Sequence, residues 1–197
     1  MPERDAHSIL DAAEALVDHG DDGPSMRAIA AKAGIGASTI YDYFDSKESV
    51  LTAMLVRRLR AEAPAATALT QAVTVEDTIR TCLEARLDTA RTHPRVIALA
   101  AQRILGRESD RALRVVLAEH VRQLANHWPR DAGLALAATD AASVVLVALD
   151  GAVRNAVERR PQYLDDPAFA TELVATLGAA IRKTSPALPY TRARSNE

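Results

Sequence analysis

The chain has 197 residues, and among them are one cysteine, two Phe, four Tyr, one Trp and no surplus of positive charge. A lone Cys82 excludes an intrachain disulfide and any Cys-rich zinc site, and such a thiol is expected to serve as a small buried hydrophobe. With 24 Lys and Arg against 26 Asp and Glu, no global electrostatic attraction to nucleic acid is available. The longest apolar run, AASVVLVAL at 141–149, is far too short to span a bilayer. MPERDAHSIL has neither the basic nor the apolar region of a secretory signal. A soluble, cytoplasmic protein with no membrane partner is expected. Glycine-rich phosphate loops, a nucleophile elbow and His–carboxylate clusters at metal spacing are also missing, and the five histidines are scattered. No enzyme, no cofactor and no metal site are therefore expected.

What the chain does have is Ala, Leu, Arg and Glu, with no strand-like alternation of β-branched residues, and this composition predicts an all-α fold. Ile9, Leu10, Ala13, Leu16 and Val17 recur at helical spacing over 6–19, and Gly20 stops the run. Ser25 is placed to cap a second, two-turn helix whose inner face is Met26, Ile29, Ala30 and Ala33, with Gly34 at the left-handed carboxy cap. A third short helix is predicted over 37–43. A fourth opens at Asp45 or Ser46, with Glu48 in the capping-box position, and runs to about 62 before Pro64. Longer amphipathic segments follow at 75–92, 94–105, 109–127, 134–160 and 167–183, punctuated by Pro94, Gly106, Pro129, Pro161 and Pro167. The proline-containing end SPALPYTRARSNE has no apolar period and is expected to be loose.

Three of the aromatics fall within four positions, Tyr41, Tyr43 and Phe44. Two short helices joined by a tight glycine turn make a helix-turn-helix, whose second helix enters the DNA major groove. Here Ala30 lets the helices approach, Ile35 plugs the space between them, and Ile29, Ile40 and Phe44 supply the buried side. Ala37, Ser38, Thr39, Tyr41, Asp42 and Tyr43 remain for the outer face. Tyr41 and Tyr43 are read as half-buried, each with a hydroxyl able to reach a phosphate. Lys47 adds a cation in the first turn of the fourth helix. The competing reading of the same pattern is an ordinary helical hairpin in which the tyrosines only pack.

Residues 9–55, ILDAAEALVDHGDDGPSMRAIAAKAGIGASTIYDYFDSKESVLTAML, resemble the amino-terminal domain of tetracycline-repressor-type (TetR family) regulators. They match in order and without gaps through the ILDAA opening, SMRAIAAKAGI, TIYDYF and SKE. The resemblance implies an all-helical homodimeric regulator with an amino-terminal three-helix DNA-binding head and a larger carboxy-terminal ligand-binding and dimerisation domain. It divides the chain at 1–47 and 48–185, with 186–197 as the tail. Ser25 and Arg27 match positions that contact DNA from the second helix. Thr39, Tyr41 and Tyr43 match recognition-helix contacts, Ala37 and Ser38 the sequence-reading positions, and Lys47 a phosphate anchor. The small side chains at 37 and 38 shift the burden of specificity to Arg27, to Thr39 or to DNA shape. Two departures stand out. Gly36 replaces the usual serine cap, and Ala6 and Ser8 replace basic residues. Residues 1–60 hold seven Lys and Arg against ten Asp and Glu, which predicts a shallow salt dependence.

Beyond residue 60 the reading is from pattern alone. The helices over 134–160 and 167–183 carry a long apolar run with Gly151, and a stripe of Phe169, Leu173, Leu177 and Ile181 beside Gly178. They are expected to form a four-helix interface in a homodimer, with Asp150 and Arg154 as an ion pair at the seam. The alternative is burial within one subunit. A pocket for a small-molecule effector is expected among the helices over 75–128, with Cys82, Arg86, His93, Arg103, His120 and Trp128 as candidate lining. Arg86 together with His93 is a candidate anion site. The function expected is an effector-released repressor on a palindromic DNA operator. The alternative is a helical ligand-binding or protein-interaction module with little DNA binding.

Overall fold

The structure is a computed structural model, and it describes residues 2–64, 66–101, 107–129 and 136–183. Among these residues the chain is helical without strands: α1 (Pro2–Asp18), α2 (Met26–Ala33), α3 (Lys47–Ala61), α4 (Ala66–Gln71), α5 (Val75–Thr92), α6 (Pro94–Ala101), α7 (Arg107–Asn126), α8 (Ala138–Arg159) and α9 (Pro167–Lys183), with 3₁₀ turns at Thr39–Asp42 and Pro161–Leu164. No helix among them is long and apolar enough to cross a membrane.

Local chemistry sets the ends of these helices. Ser25 accepts a hydrogen bond from the Ala28 amide at 3.1 Å and caps α2. At the other end Gly34, at φ +72°, turns the chain so that the Ile35 amide reaches back to the Ala30 carbonyl at 3.0 Å. A side chain at position 34 would be strained in that backbone region. α3 starts at Ser46, and its reciprocal partner is Ser49 at 3.1 Å in both directions. Glu48 lies one position short of that role and is exposed. Thr74 and Asp77 form the same kind of box at the start of α5.

The predicted third helix is a correction. It is a single 3₁₀ turn, held by Tyr41 N–H to Ser38 at 3.1 Å and Tyr43 N–H to Ile40 at 3.2 Å. Gly36 has no side chain to cap it and Ser38 makes no side-chain cap bond. With β-branched Thr39 and Ile40 in so short a segment, nothing offsets the cost of nucleating an α-helix.

Two apolar clusters organise the chain. The head core holds Ile9, Ala13 and Val17 of α1, Ile29 and Ala30 of α2, Ile40, and Val50, Leu51, Met54 and Leu55 of α3, together with Val96 and Leu99 of α6. The body core is built on Ile79, Cys82, Leu83, Leu87 and Ala90 of α5, Val145, Leu146 and Leu149 of α8, and Val174 and Ile181 of α9. The stripe of α9 is therefore not an outer face. Phe169, Leu173 and Leu177 pack against the subunit's own core, and Ile181 is 1% exposed. Gly178 also serves this internal packing, since a Cβ there would lie 2.6 Å from Glu76 Oε1 of α5. The outer face of α8 differs, with Val144 and Val147 48% and 58% exposed and open space beside Gly151.

Candidate DNA-reading face and effector cavity

The head presents one face to solvent. Ser25 and Arg27 on α2, and Ala37, Ser38, Tyr41 and Asp42 around the 3₁₀ turn, are exposed, while Thr39, Tyr43 and Lys47 are half-buried. Ile40 is fully buried beneath them, and Ile35, Tyr43 and Phe44 pack against the head core. Tyr41 is 56% exposed and stands further out than its expected half-buried placement. The Tyr43 hydroxyl donates to Asp5 Oδ2 at 3.0 Å, and this bond holds the phenol above its ordinary pKa. Lys47 runs toward the 20–25 loop, with its Nζ 3.7 Å from where a Gly23 Cβ would stand.

Two cations of α3 turn back onto α1 instead. Arg57 binds Asp11 at 2.7 Å and Glu14 at 2.9 Å, and Arg58 also pairs with Glu14, which is 6% exposed. Burial pushes the Arg58 guanidinium below its ordinary pKa. His93 joins this junction, with Nδ1 2.7 Å from Asp18 and 3.4 Å from Glu14. Glu14, Asp18 and His93 thus form the His–carboxylate group that sequence spacing did not reveal, gathered from α1 and the end of α5. Two guanidiniums already neutralise Glu14, so the arrangement works as an ion-pair clasp.

A second site lies in the body. A cavity of about 330 Å³ is lined on its apolar side by Leu59, Ile97, Leu113, Val116, Leu117 and Leu146. Its polar side is Glu62, Arg86, Arg114, His120, Asp150 and Arg154. Arg86 and His120 were legible as candidates. Glu62 carries no local signal for a pocket at the carboxy cap of α3, and Asp150 and Arg154, just past the 141–149 apolar run of α8, read by spacing as an ion pair. Asp150 and Arg154 form the expected ion pair, and the pair faces the cavity. Burial raises the Glu62 carboxyl to about 7 against the pull of Arg86. Burial, aided by Arg86, lowers His120 to about 4, so its ring is neutral at physiological pH.

The remaining candidates fall elsewhere. Cys82 sits in the body core, where burial raises its thiol to about 11, and its carbonyl accepts from Arg86 Nη1 at 3.1 Å. Trp128 is buried in the same core and does not line the cavity. His93 is in the clasp, so Arg86 and His93 do not share a site. Arg103 lies outside the described residues.

Residues 9–54 match the profile of "Bacterial regulatory proteins, tetR family". The head belongs to the tetR family. The fold that carries it is also the tetR fold. The transcriptional regulator FadR from Bacillus subtilis, solved in complex with stearoyl-CoA, superposes with a TM-score of 0.72 at 16% identity over 89% of this chain and 98% of that one. GusR from Salmonella enterica gives 0.69 at 17%, covering 92% of this chain and 97% of the other. A TetR transcriptional regulator from Rhodococcus sp. RHA1 gives 0.68 at 16%, covering 94% and 100%. No curated protein sequence matches the chain. Family and fold are those of transcriptional regulators, with a helix-turn-helix head carried on a helical body.

Proposed function

We propose that the chain is a cytoplasmic repressor that binds a palindromic operator as a homodimer and leaves it when a small molecule fills the body cavity. The observation that carries this reading is the course of α3. Its first half, through Val50, Leu51, Met54 and Leu55, is built into the tetR-family head, and at its end Leu59 and Glu62 form a wall of the cavity. α6 is shared in the same way, with Val96 and Leu99 in the head core and Ile97 in the cavity wall. A molecule that fits the cavity in only one setting of α3 and α6 shifts the population of head positions by its differential affinity for the two settings.

Ser25, Arg27, Ala37, Ser38, Thr39, Tyr41, Tyr43 and Lys47 are the residues proposed to meet DNA. Arg27 and Lys47 bind phosphate or base edges, and the small residues allow close approach to the groove. Two heads on a two-fold axis require a partner copy, for which the exposed Val144 and Val147 beside Gly151 are the proposed seat on α8, with the outer side of α9 beside it. The proposed domain division, a head of 1–47 and a body of 48–185, falls at the start of α3, whose first half packs in the head core and so ties the two together.

A second reading, a helical ligand-binding module with little DNA binding, is favoured by the acidic head and by the Tyr43 hydroxyl being held by Asp5. Selection of the purified chain against a random duplex library at low salt separates the two. Enrichment of a palindrome supports the repressor. Failure of any duplex to enrich, with the protein a folded dimer, supports the module.

A further inference from the structure

Six buried side-chain atoms among the described residues have no hydrogen-bond partner, and three of them, Glu62 Oε1, Arg86 Nε and His120 Nε2, belong to residues that line one cavity. The three residues are 4%, 5% and 9% exposed. A buried polar atom without a partner carries its full desolvation penalty, so three around one empty space mark a place where a ligand supplies the missing bonds.

The charges facing this space decide the sign of that ligand. Asp150 and Arg154 of α8 neutralise each other. Arg114 of α7 is exposed, and Arg58 of α3 is committed to Glu14. His120 of α7 is neutral at physiological pH. What is left is Glu62 against Arg86. A guanidinium cannot give up its charge in a protein, whereas a carboxyl held at about 7 takes a proton readily. Protonation of Glu62 leaves Arg86 as the uncompensated buried charge.

We propose, building on the reading of this cavity as the effector site, that it takes an amphipathic monocarboxylate. The carboxylate receives Arg86 Nε–H and the Nε2–H tautomer of His120, Glu62 donates to it as the protonated acid, and the apolar body lies along Leu59, Ile97, Leu113 and Leu146. One proton enters from solvent with each ligand anion and stays on Glu62. The cavity of about 330 Å³ holds about eleven groups at ~30 Å³ for each water-sized unit, which suits a medium-length aliphatic or single-ring acid.

The test is calorimetric titration of the full chain with octanoate and 3-phenylpropanoate, beside 1-octanol and octylamine, between pH 6.5 and 8.5. Binding of the acids in preference to the alcohol and amine is expected, with affinity falling by up to ~tenfold per pH unit above about pH 7, as uptake of one proton requires. Glu62→Gln should bind the acids with a flat pH profile, and Arg86→Gln should lose roughly tenfold or more in affinity. Circular dichroism checks that each variant is folded. If Arg86→Gln does not fold, the ligand series and pH profile on the unaltered chain decide. Equal or tighter binding of octanol or octylamine, or acid binding indifferent to pH, overturns the monocarboxylate and leaves the cavity as an effector site. Absence of binding by every probe overturns both.

Discussion

His93, at the carboxy cap of α5, places Nδ1 2.7 Å from Asp18 Oδ2 at the last residue of α1. The body's longest buried stripe thus ends in a side chain that holds the head's first helix. Beside it Glu14, one turn earlier on α1, binds Arg57 and Arg58 of α3. The clasp fixes how the three elements meet, and it can be tested by substitution.

A double-mutant cycle of His93→Ala and Asp18→Ala should give a coupling energy of about 1 kcal/mol in urea denaturation, as expected for a half-buried, charge-assisted hydrogen bond. Additive effects of the two changes would mean that the contact contributes nothing to stability.

Glu14→Ala should be far costlier than any exposed pair. It leaves Arg57 and Arg58 facing each other without their shared carboxylate, and Arg58 Nε already has no partner. A loss of about 3 kcal/mol is expected in the urea midpoint, with the slope unchanged. Glu14→Gln, which keeps the shape and one acceptor oxygen, should lose less.

Glu62 and His120 give opposite pH signatures. The folded-state value of Glu62, about 7, lies above its ordinary 4.5. The folded protein therefore binds the extra proton between those values, and its stability falls as pH rises through that window. Glu62→Gln should stabilise the fold at pH 8 by roughly 2–3 kcal/mol and do little near pH 4.5. His120, lowered from 6.5 to about 4, contributes stability above pH 6.5 that is lost as pH falls toward 4, so His120→Gln should gain relative to the parent as the solution is acidified. Thermal midpoints across pH 4–8 check both signs.

The head was legible in the sequence because its signals are local. Ser25 and Gly34 sit at the two ends of an eight-residue helix, and each end is decided by the residue standing there. The same locality misjudged the recognition segment, where an apolar spacing compatible with a helix lacks the capping that would make it one. The cavity was only half visible. Arg86 stood out as a charge on an apolar stripe, but Glu62 and Asp150 meet it from positions distant in the chain, through packing of α3 and α8 that no local pattern encodes. The stripe Phe169, Leu173, Leu177 and Ile181 fits an inner core and a partner interface equally well by periodicity. Only the position of α9 against α5 decides for the core.

Self-association should depend on the outer face of α8. Val147→Glu changes a side chain that is 58% exposed in the isolated chain, so circular dichroism should be nearly unchanged, while the urea midpoint should lose its dependence on protein concentration. Sedimentation equilibrium should show a shift from dimer to monomer. A variant that remains as dimeric as the parent would place the interface elsewhere.

The central claim is that the exposed face around Arg27 reads duplex DNA from two heads at once, and the measurement that tests it most directly is salt dependence. With Arg57 and Arg58 held in the clasp, phosphate neutralisation is assigned to Arg27 and Lys47 of each head. Titration of a selected palindromic duplex across salt concentrations, read by fluorescence anisotropy, should then give a log–log slope of about −4 for four contacts in a dimer. In Arg27→Ala the slope should flatten by roughly 2, one contact per head. A parent slope near zero, or an Arg27→Ala slope equal to the parent's, would contradict the account.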